Sequence, residues 1–364
     1  MMPSFVGIHA RELSNEINWF RARKKNQSNS RSSRKTSFQR VSADRQLACR
    51  CFQLRQARSP PAESGKLPDF HAASLSTFAK SNCHRYNLIR MNQVPDEFTQ
   101  FEHEGWERVA DKYDSVWSSL TRQFIPYLIN AANVKPGMSV LDVACGPGYV
   151  SDAVRKAGAI PQGIDFSEKM IAIAKTTFSN LSFIQGDAQN LPFEDARFDR
   201  VLINFGLLHL THPEKGCAEA CRVLKSGGRF GFTVWAGPEK NPGAKIVNDA
   251  VEAHGDLDVG LPEGPPRYLY GESNECRKVL EQSGFDGDSM NYETRTVEWH
   301  LPTASYFFEA ERDAGVRTAG FLARQSTQRL DAIRIAVEEG VRRHANADEF
   351  VIPMAAHIVV VSKR

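Results

Sequence analysis

Apolar and polar positions along residues 138–236 follow two alternating patterns. Apolar runs of six to nine residues, typical of buried strands, are separated by stretches with helical spacing. The strand-like runs are MSVLDVA (138–144), IPQGID (160–165), LSFIQGD (181–187), FDRVLIN (198–204) and GRFGFTVWA (228–236). Strands that alternate with helices predict an α/β fold with a parallel sheet and right-handed crossovers.

Helical spacing also precedes this region. Within EFTQFEHEGWERVADKYDSVWSSLTRQFIPYLINAA, six large apolar residues recur at intervals of three and four: Trp106, Val109, Tyr113, Val116, Trp117 and Leu120. We therefore expect one amphipathic helix, ended by Lys135, Pro136 and Gly137.

The pattern after residue 236 is less regular. Residues 237–270 are rich in Gly and Pro, and the remainder predicts a helix (275–285), a strand (288–301), a helical insertion (303–348) and a closing strand (352–364). We expect 91–364 to form one domain, in which 103–236 is the core and 237–270 and 303–348 are insertions.

Residues 1–90 differ in composition from the rest of the chain. They carry 17 Lys and Arg against 5 Asp and Glu, whereas residues 91–364 carry 29 against 38. The basic, serine-rich run 21–40 is too polar to form a packed core. Three interpretations stay open: a mitochondrial or plastid transit peptide, a basic arm that touches nucleic acid or membrane, or an extension upstream of a physiological start at Met91. Without a transit peptide we expect a cytoplasmic protein.

Composition excludes several classes of protein. With 41% hydrophobic and 24% charged residues the chain is not wholly disordered, and no apolar run is long enough to span a membrane. The acidic body does not favour nucleic-acid binding. Cys217 and Cys221 lie four apart, but no second Cys or His pair follows at ligand spacing, so we expect no metal site.

The most specific motif is VLDVACGPGYV at 140–150. An acid, Asp142, ends a buried strand, and the loop that follows contains Ala144, Gly146 and Gly148 before a helix begins. Glycines in such a loop let a ligand approach the backbone closely. The motif differs from the dinucleotide-binding pattern GxGxxG, and an acid at this point would repel a pyrophosphate but favour a cationic or amino-bearing ligand.

Carboxylates also follow the next two predicted strands. Asp165, followed by Phe166, ends the second strand, where a carboxylate can accept hydrogen bonds from both hydroxyls of a ribose. Taken alone, Asp165 would more often cap the helix that follows. Asp187, followed by Ala188, ends the third strand and could accept a hydrogen bond from an adenine amine.

These motifs occur in a familiar order. Residues 104–236 resemble the class I S-adenosylmethionine-dependent methyltransferases, most closely the branch of the ubiquinone/menaquinone biosynthesis C-methyltransferases. The resemblance rests on VLDVACGPG, GIDFSEKM, GDAQNLPFEDARFDRV, FGLLHL and EACRVLKSGGRF, with WERVADKYD before them. It implies a Rossmann-like, doubly wound seven-stranded sheet, mostly parallel with an antiparallel last strand, and a helical lid insertion.

The resemblance also implies roles for individual residues. The loop around Gly146 and Gly148 would hold the methionine part of S-adenosylmethionine, with Asp142 and Ala144 close by. Asp165 would bind the ribose, Asp187 and Ala188 the adenine, and Asn204 and Phe205 would line the path from the sulfonium to the acceptor. Tyr113 would close over the site. Two positions depart from the family: Ala144 stands where many members have glycine, and Leu208 where many have a histidine.

His209 is the candidate catalytic residue. It follows the fourth predicted strand, where open parallel sheets bind ligands, and an oxygen or carbon acceptor often needs a base. The alternative is a histidine packed among leucines that only bonds to the backbone.

The acceptor is expected to be a small organic molecule. Trp235, just before the first insertion, and Tyr306, Phe307 and Phe308 of the second would suit an apolar or aromatic acceptor, or would form the insertion's own core. O-, C- and N-methylation all stay open. The alternatives are an RNA or protein methyltransferase guided by the basic arm, and an assembly factor that binds the cofactor without catalysis.

Overall fold

The computed structural model describes residues 96–346 and 349–364. The basic segment 1–90, with the three interpretations attached to it, lies outside the described residues. Within them, no helix is both long and apolar enough to cross a bilayer.

A single mixed sheet organises the chain. Its strands are β1 (Ser139–Val143), β2 (Ile160–Asp165), β3 (Ser182–Gln185), β4 (Phe198–Asn204), β5 (Leu224–Trp235), β6 (Phe285–Leu301), β7 (Ala345–Asn346) and β8 (Glu349–Lys363). The order across the sheet is β3-β2-β1-β4-β5-β8-β6, and the two-residue β7 pairs with β8 outside this path. The first five strands are parallel, and β8 is antiparallel to β5 and β6. The expected seven-stranded sheet with an antiparallel last strand is confirmed.

Helices cover both faces of the sheet and form the insertion. They are α1 (Glu97–Val116), α2 (Ser118–Thr121), α3 (Ile125–Ala131), α4 (Tyr149–Lys156), α5 (Glu168–Thr177), α6 (Pro213–Val223), α7 (Pro242–His254), α8 (Ser273–Gln282), α9 (Tyr306–Ala314), α10 (Arg317–Leu322) and α11 (Thr327–Arg342). Short 3-10 turns occupy Arg122–Phe124 and Leu207–His209. Strands β1 and β4 are almost wholly buried, because helices pack against both faces of a parallel sheet.

The expected single N-terminal helix is wrong. It is divided into α1, α2, the turn Arg122–Phe124 and α3. Pro126 lies in the first turn of α3, where its missing N–H is tolerated, whereas inside a continuous helix it would break a hydrogen bond. Trp117, at the first break, stacks on Trp299 with 4.9 Å between ring centroids.

The Gly- and Pro-rich segment contains a helix that its composition did not suggest. Asn241 caps α7 by accepting a hydrogen bond from the N–H of Ala244, and Pro242 occupies the first turn. Helix α7 packs against α11, so part of 237–270 and the 303–348 insertion form one layer at the carboxyl end of the strands.

Candidate active site

A cavity lies at the carboxyl ends of β1, β2 and β4. The strand order reverses between β1 and β4, which is where open α/β sheets bind ligands. This first cavity encloses about 1190 Å³ of empty space, part of it open to solvent. Of the twelve residues expected at the site, eleven line it: Tyr113, Asp142, Ala144, Gly146, Asp165, Phe166, Asp187, Ala188, Asn204, Phe205 and His209.

Gly148 is the expected residue that does not line the cavity. It precedes α4 with a φ of 89°, and a Cβ atom there would lie 2.7 Å from the ring of Phe183. Only glycine fits this close approach without strain. Gly148 therefore determines the conformation of the loop but does not form part of the cavity wall.

The loop between β1 and α4 has a strained residue at its centre. Ala144 has a φ of 52° and Gly146 a φ of 49°, both in the left-handed region. An L-residue with a Cβ atom pays roughly 1 kcal/mol for this conformation. This cost gives a physical reason why glycine would be favoured at position 144, where this chain has alanine.

Asp142 is buried with one oxygen unpaired. Its Oδ2 accepts hydrogen bonds from the backbone N–H of Ser151 (2.9 Å) and its hydroxyl (2.7 Å), whereas Oδ1 has no partner among the described residues. Burial raises the pKa of this carboxyl to about 7, against the opposing effect of the Ser151 bonds. Oδ1 is therefore a buried acceptor without a partner, on a residue that lines the cavity.

Asp165 joins the end of β2 to the glycine loop. Its Oδ1 accepts from the N–H of Ser167 (2.9 Å) and its Oδ2 from the N–H of Gly146 (2.8 Å). Ser167, not Asp165, caps α5, because its hydroxyl accepts from the N–H of Met170. Burial raises the pKa of Asp165, and the two backbone bonds act in the opposite direction. Each oxygen of Asp165 keeps a further lone pair for a ligand.

The end of β3 provides a more open part of the cavity. Asp187 is exposed, and its Oδ1 accepts from the N–H of Gln189 at 2.8 Å. Ala188 is buried beside it. This end of the cavity therefore combines an exposed carboxylate with a small apolar side chain.

The end of β4 is fixed by Thr233 of the neighbouring strand. The Thr233 hydroxyl donates to Oδ1 of Asn204 (2.6 Å) and accepts from the N–H of Phe205 (3.0 Å). Phe205 has a φ of 60°, an unusual conformation for a bulky residue, and stacks on Trp235 at 4.1 Å. Strained positions that the surroundings hold in place are concentrated at functional sites.

Helix α1 lies across the cavity, and hydrogen bonds hold it to two other segments. Glu107 accepts from the hydroxyl of Ser167 at 2.7 Å, and the Thr99 hydroxyl lies 2.5 Å from that of Thr211. This position brings Tyr113 into the wall, where burial is the main cause that raises the pKa of its phenol. That Tyr113 closes over a bound ligand stays a prediction.

His209 interacts with a residue that the sequence reasoning missed. Its Nδ1 lies 2.8 Å from Oε2 of Glu102, which has no exposed surface, and its ring lies edge-on to Trp106 at 4.8 Å. A carboxylate at Nδ1 favours the tautomer that carries its proton there and leaves the Nε2 lone pair free. Glu102 stands on the apolar side of α1, four residues before Trp106, and a lone acid in such a stripe is a usable sequence signal.

A second cavity adjoins the first. It contains about 890 Å³ of empty space, part of it open to solvent. Five residues line both cavities: Trp106, Tyr113, Thr121, Phe205 and His209. The remaining wall comes from α7, from residues near 267, and from α9 and α10, so both insertions contribute. Trp235 and Phe307 line this cavity, whereas Tyr306 and Phe308 do not and pack in the insertion's core.

Comparison with known proteins decides the family. The family model described as "Methyltransferase domain" matches residues 141–232. The demethylmenaquinone methyltransferase of Renibacterium salmoninarum is 36% identical over 185 residues, which cover 50% of this chain and 76% of that protein. The chain belongs to the class I S-adenosylmethionine-dependent methyltransferases. The predicted fold, family and enzyme class are confirmed.

Other similar proteins match a smaller share of their own length. The demethylmenaquinone methyltransferase of Paenarthrobacter aurescens is 36% identical over 156 residues, 42% of this chain, and the chain spans 60% of its length. Among solved structures, phosphoethanolamine N-methyltransferase 2 of Haemonchus contortus, in complex with S-adenosylhomocysteine, is 18% identical with a TM-score of 0.39. That match covers 66% of this chain and 52% of the other, and it concerns the fold alone.

Proposed function

We propose that this methyltransferase binds S-adenosylmethionine in the first cavity and transfers its methyl group to a small apolar or aromatic molecule in the second. The observation that carries the proposal is the shared wall of Trp106, Tyr113, Thr121, Phe205 and His209. Methyl transfer needs the two reactants in contact while each is held separately, and two adjoining cavities with a common wall meet that requirement.

The cofactor's parts are assigned by the chemistry of the wall. The free Oδ1 of Asp142 and the backbone around Gly146 would hold the methionine end. The spare lone pairs of Asp165 would accept from the ribose hydroxyls, next to Phe166. The exposed Asp187 and the buried Ala188 would bind the adenine amine and ring.

The shared wall would guide the reaction itself. S-adenosylmethionine supplies a methyl group already activated by its sulfonium. Asn204 and Phe205 would flank the line between sulfur and acceptor, and Tyr113 would close it against water from α1. Nε2 of His209 would take the proton that the acceptor loses when it is methylated. Glu102 would hold the imidazole in the necessary tautomer.

The acceptor is proposed to be a phenol or quinol. Relatives named demethylmenaquinone methyltransferase act, by their name, on a quinone precursor. Such a ring suits the aromatic side chains of Trp106, Trp117, Trp235 and Phe307 in the second cavity. A phenolic O–H or a ring C–H carries a proton that His209, acting as a base, would remove.

The test is an acceptor screen with the full chain. The protein is incubated with isotope-labelled S-adenosylmethionine and panels of quinols, phenols, amines and fatty acids, and products are separated and weighed by mass spectrometry. We expect labelled methyl on a phenol or quinol, with one S-adenosylhomocysteine formed per product. Binding of the cofactor without product from any panel would contradict the proposal and favour a non-catalytic binding protein.

A further inference from the structure

Two arginines interrupt the apolar wall of the second cavity. Arg267 lies near the end of the Gly- and Pro-rich segment 237–270, and Arg317 begins α10. Neither has a role in the transfer described above. Glu311 of α9 is the carboxylate in the same wall, among the described residues.

Hydrogen bonds hold the two arginines side by side. Arg267 donates from Nη2 to the hydroxyl of Thr318 (2.5 Å), next to Arg317 in the chain. Arg317 donates from Nη1 to the backbone oxygen of Pro265 (3.0 Å), two residues before Arg267. Each guanidinium is thus bound to the segment that carries the other. Phe98 lies beside the Arg317 guanidinium, with 5.1 Å from its carbon to the ring centroid.

The pair lacks a direct negative partner. Among residues 96–346 and 349–364, no carboxylate oxygen lies within 4.0 Å of either guanidinium, whereas Arg222 meets carboxylates of Asp195 and Glu219 at 2.8 Å. Burial lowers the pKa of Arg317, the more distant Glu102 raises it, and the charge of Arg267 lowers it again. Two positive charges placed side by side in a half-buried wall are destabilising unless an anion binds between them.

The donors left over fit an oxyanion. A guanidinium has five N–H groups in a rigid fork, and only one bond from each arginine is made within the described residues. A guanidinium can donate two parallel hydrogen bonds to the oxygens of a carboxylate or phosphate. Such charge-assisted bonds are about twice as strong as hydrogen bonds between neutral groups. The same cavity reaches His209, so a single ligand can contact both the arginines and the shared wall.

We propose that the methyl acceptor carries an anionic oxygen group, a carboxylate or a phosphate, on its apolar or aromatic body, and that Arg267 and Arg317 bind this group. The inference rests on the proposed function, since it names the class of acceptor for the same site. It distinguishes this chain from an enzyme selective for uncharged quinols.

The test measures binding before any methyl transfer. Trp106, Trp117 and Trp235 line the second cavity, so ligand binding is followed by tryptophan fluorescence of the full chain with saturating S-adenosylhomocysteine. The probes are 4-hydroxybenzoate, its methyl ester, and phenyl phosphate. We expect the charged probes to bind at least tenfold more tightly than the ester, and their relative affinities to show which anion is preferred.

Variants assign that preference to the arginines. Arg267→Met with Arg317→Met should abolish it, whereas the two lysine substitutions should keep part of it because the charge remains. Arg324→Met is the matched control: Arg324 bonds to the backbone of Gly320 at 3.0 Å and lies outside the cavity wall, so the preference should persist. Thermal melting shows which variants are folded.

Three binding results would overturn the inference, and one kinetic result would do so as well. They are equal affinity for acid and ester, an unchanged preference in the double methionine variant, and no binding of any probe at millimolar concentration. Failure of the proposed function would give a different result. The charged probes would still bind more tightly than the ester, but no acceptor would be methylated. Equal kcat/KM for charged and neutral phenols would leave the methyltransferase proposal standing and reject this one.

Discussion

Nδ1 of His209 lies 2.8 Å from Oε2 of Glu102, a carboxylate without exposed surface. The pair joins the loop after β4 to α1, across the mouth of the first cavity. A buried carboxylate is costly unless its hydrogen bonds are satisfied, and Oε1 of Glu102 has no partner among the described residues. Retaining an acid at this cost favours a functional rather than a structural use of the histidine.

Replacing His209 tests its proposed role as the base. We expect His209→Ala to lower turnover at least tenfold, the lower range of general-base contributions, with the Kd of S-adenosylmethionine little changed. Steady-state kinetics and calorimetry measure the two quantities separately. Near-normal turnover would remove His209 from the mechanism and leave it as a packed histidine.

Glu102 should act through His209 as a positioning residue. Glu102→Gln keeps the shape and one hydrogen-bond acceptor but removes the charge, so we expect kcat to fall several-fold with both KM values nearly constant. Glu102→Ala should lower kcat further. In the His209→Ala background, Glu102→Gln should have no additional effect on kcat, because residues that act as a unit are not additive. A purely structural role for Glu102 would instead give equal losses in both backgrounds.

The Asp142 carboxyl should make cofactor binding depend on pH. Its folded pKa is raised to about 7, so most of it is protonated at pH 6, whereas a cationic ligand needs the ionised form. We expect the Kd of S-adenosylmethionine to fall roughly fivefold to tenfold from pH 6 to 7.5, as the competent fraction rises. Calorimetry at pH 6 in buffers of different ionisation enthalpy should show proton release that decreases in Asp142→Asn. Equal proton release in both proteins would contradict this.

The same carboxyl should also affect stability. Its folded pKa lies above the unfolded value of 3.8, so the folded state retains a proton that the unfolded state has released. Asp142 therefore lowers the free energy of unfolding as pH rises from about 4 to about 7, by about 4 kcal/mol in total. Asp142→Asn should reduce this loss, and urea unfolding at pH 5 and pH 8 measures it. A wild-type stability that rises over this range with no change in the variant would contradict the assignment.

Two substitutions separate the cavities. Of these two cavities, Trp235 lines the second and not the first, and Asp187 lines the first and not the second. We expect Trp235→Ala to raise the acceptor KM at least fivefold with little effect on cofactor affinity, since a stacked aromatic contact is lost. Asp187→Ala should weaken cofactor binding by about 1 kcal/mol, the usual contribution of one hydrogen bond. The acceptor KM should stay unchanged. The reverse pattern would show that the two cavities are wrongly assigned.

Much of the fold could be predicted because strand signals here are local. β2 and β4 have the bounds that their apolar runs indicate, and the loop VLDVACGPG identifies the end of β1. The carboxyl ends of adjacent parallel strands must meet, so Asp142, Asp165 and Asn204 could be placed at one edge. The helix α7 was missed because Asn241 and Pro242, its start signals, lie in a segment whose glycines and prolines indicate turns.

Contacts between distant segments are the features of the site that the sequence could not predict. Glu102 and His209 are 107 positions apart, and only the packing of α1 across the cavity brings them together. The same holds for Arg267 and Arg317, which hydrogen bonds between two insertions place side by side. Sequence motifs described the half of the site that would bind the cofactor and gave little on the half that would bind the acceptor.

The central claim is that the first cavity binds S-adenosylmethionine through Asp165. The direct measurement is calorimetric titration of this compound into the wild-type chain, Asp165→Ala, and Asp249→Ala, whose exposed carboxylate pairs with Lys245 of the same helix. We expect one-site binding for the wild type and Asp249→Ala, with affinity at least tenfold weaker for a folded Asp165→Ala. No heat with the wild type, or equal affinity in all three proteins, would contradict the account.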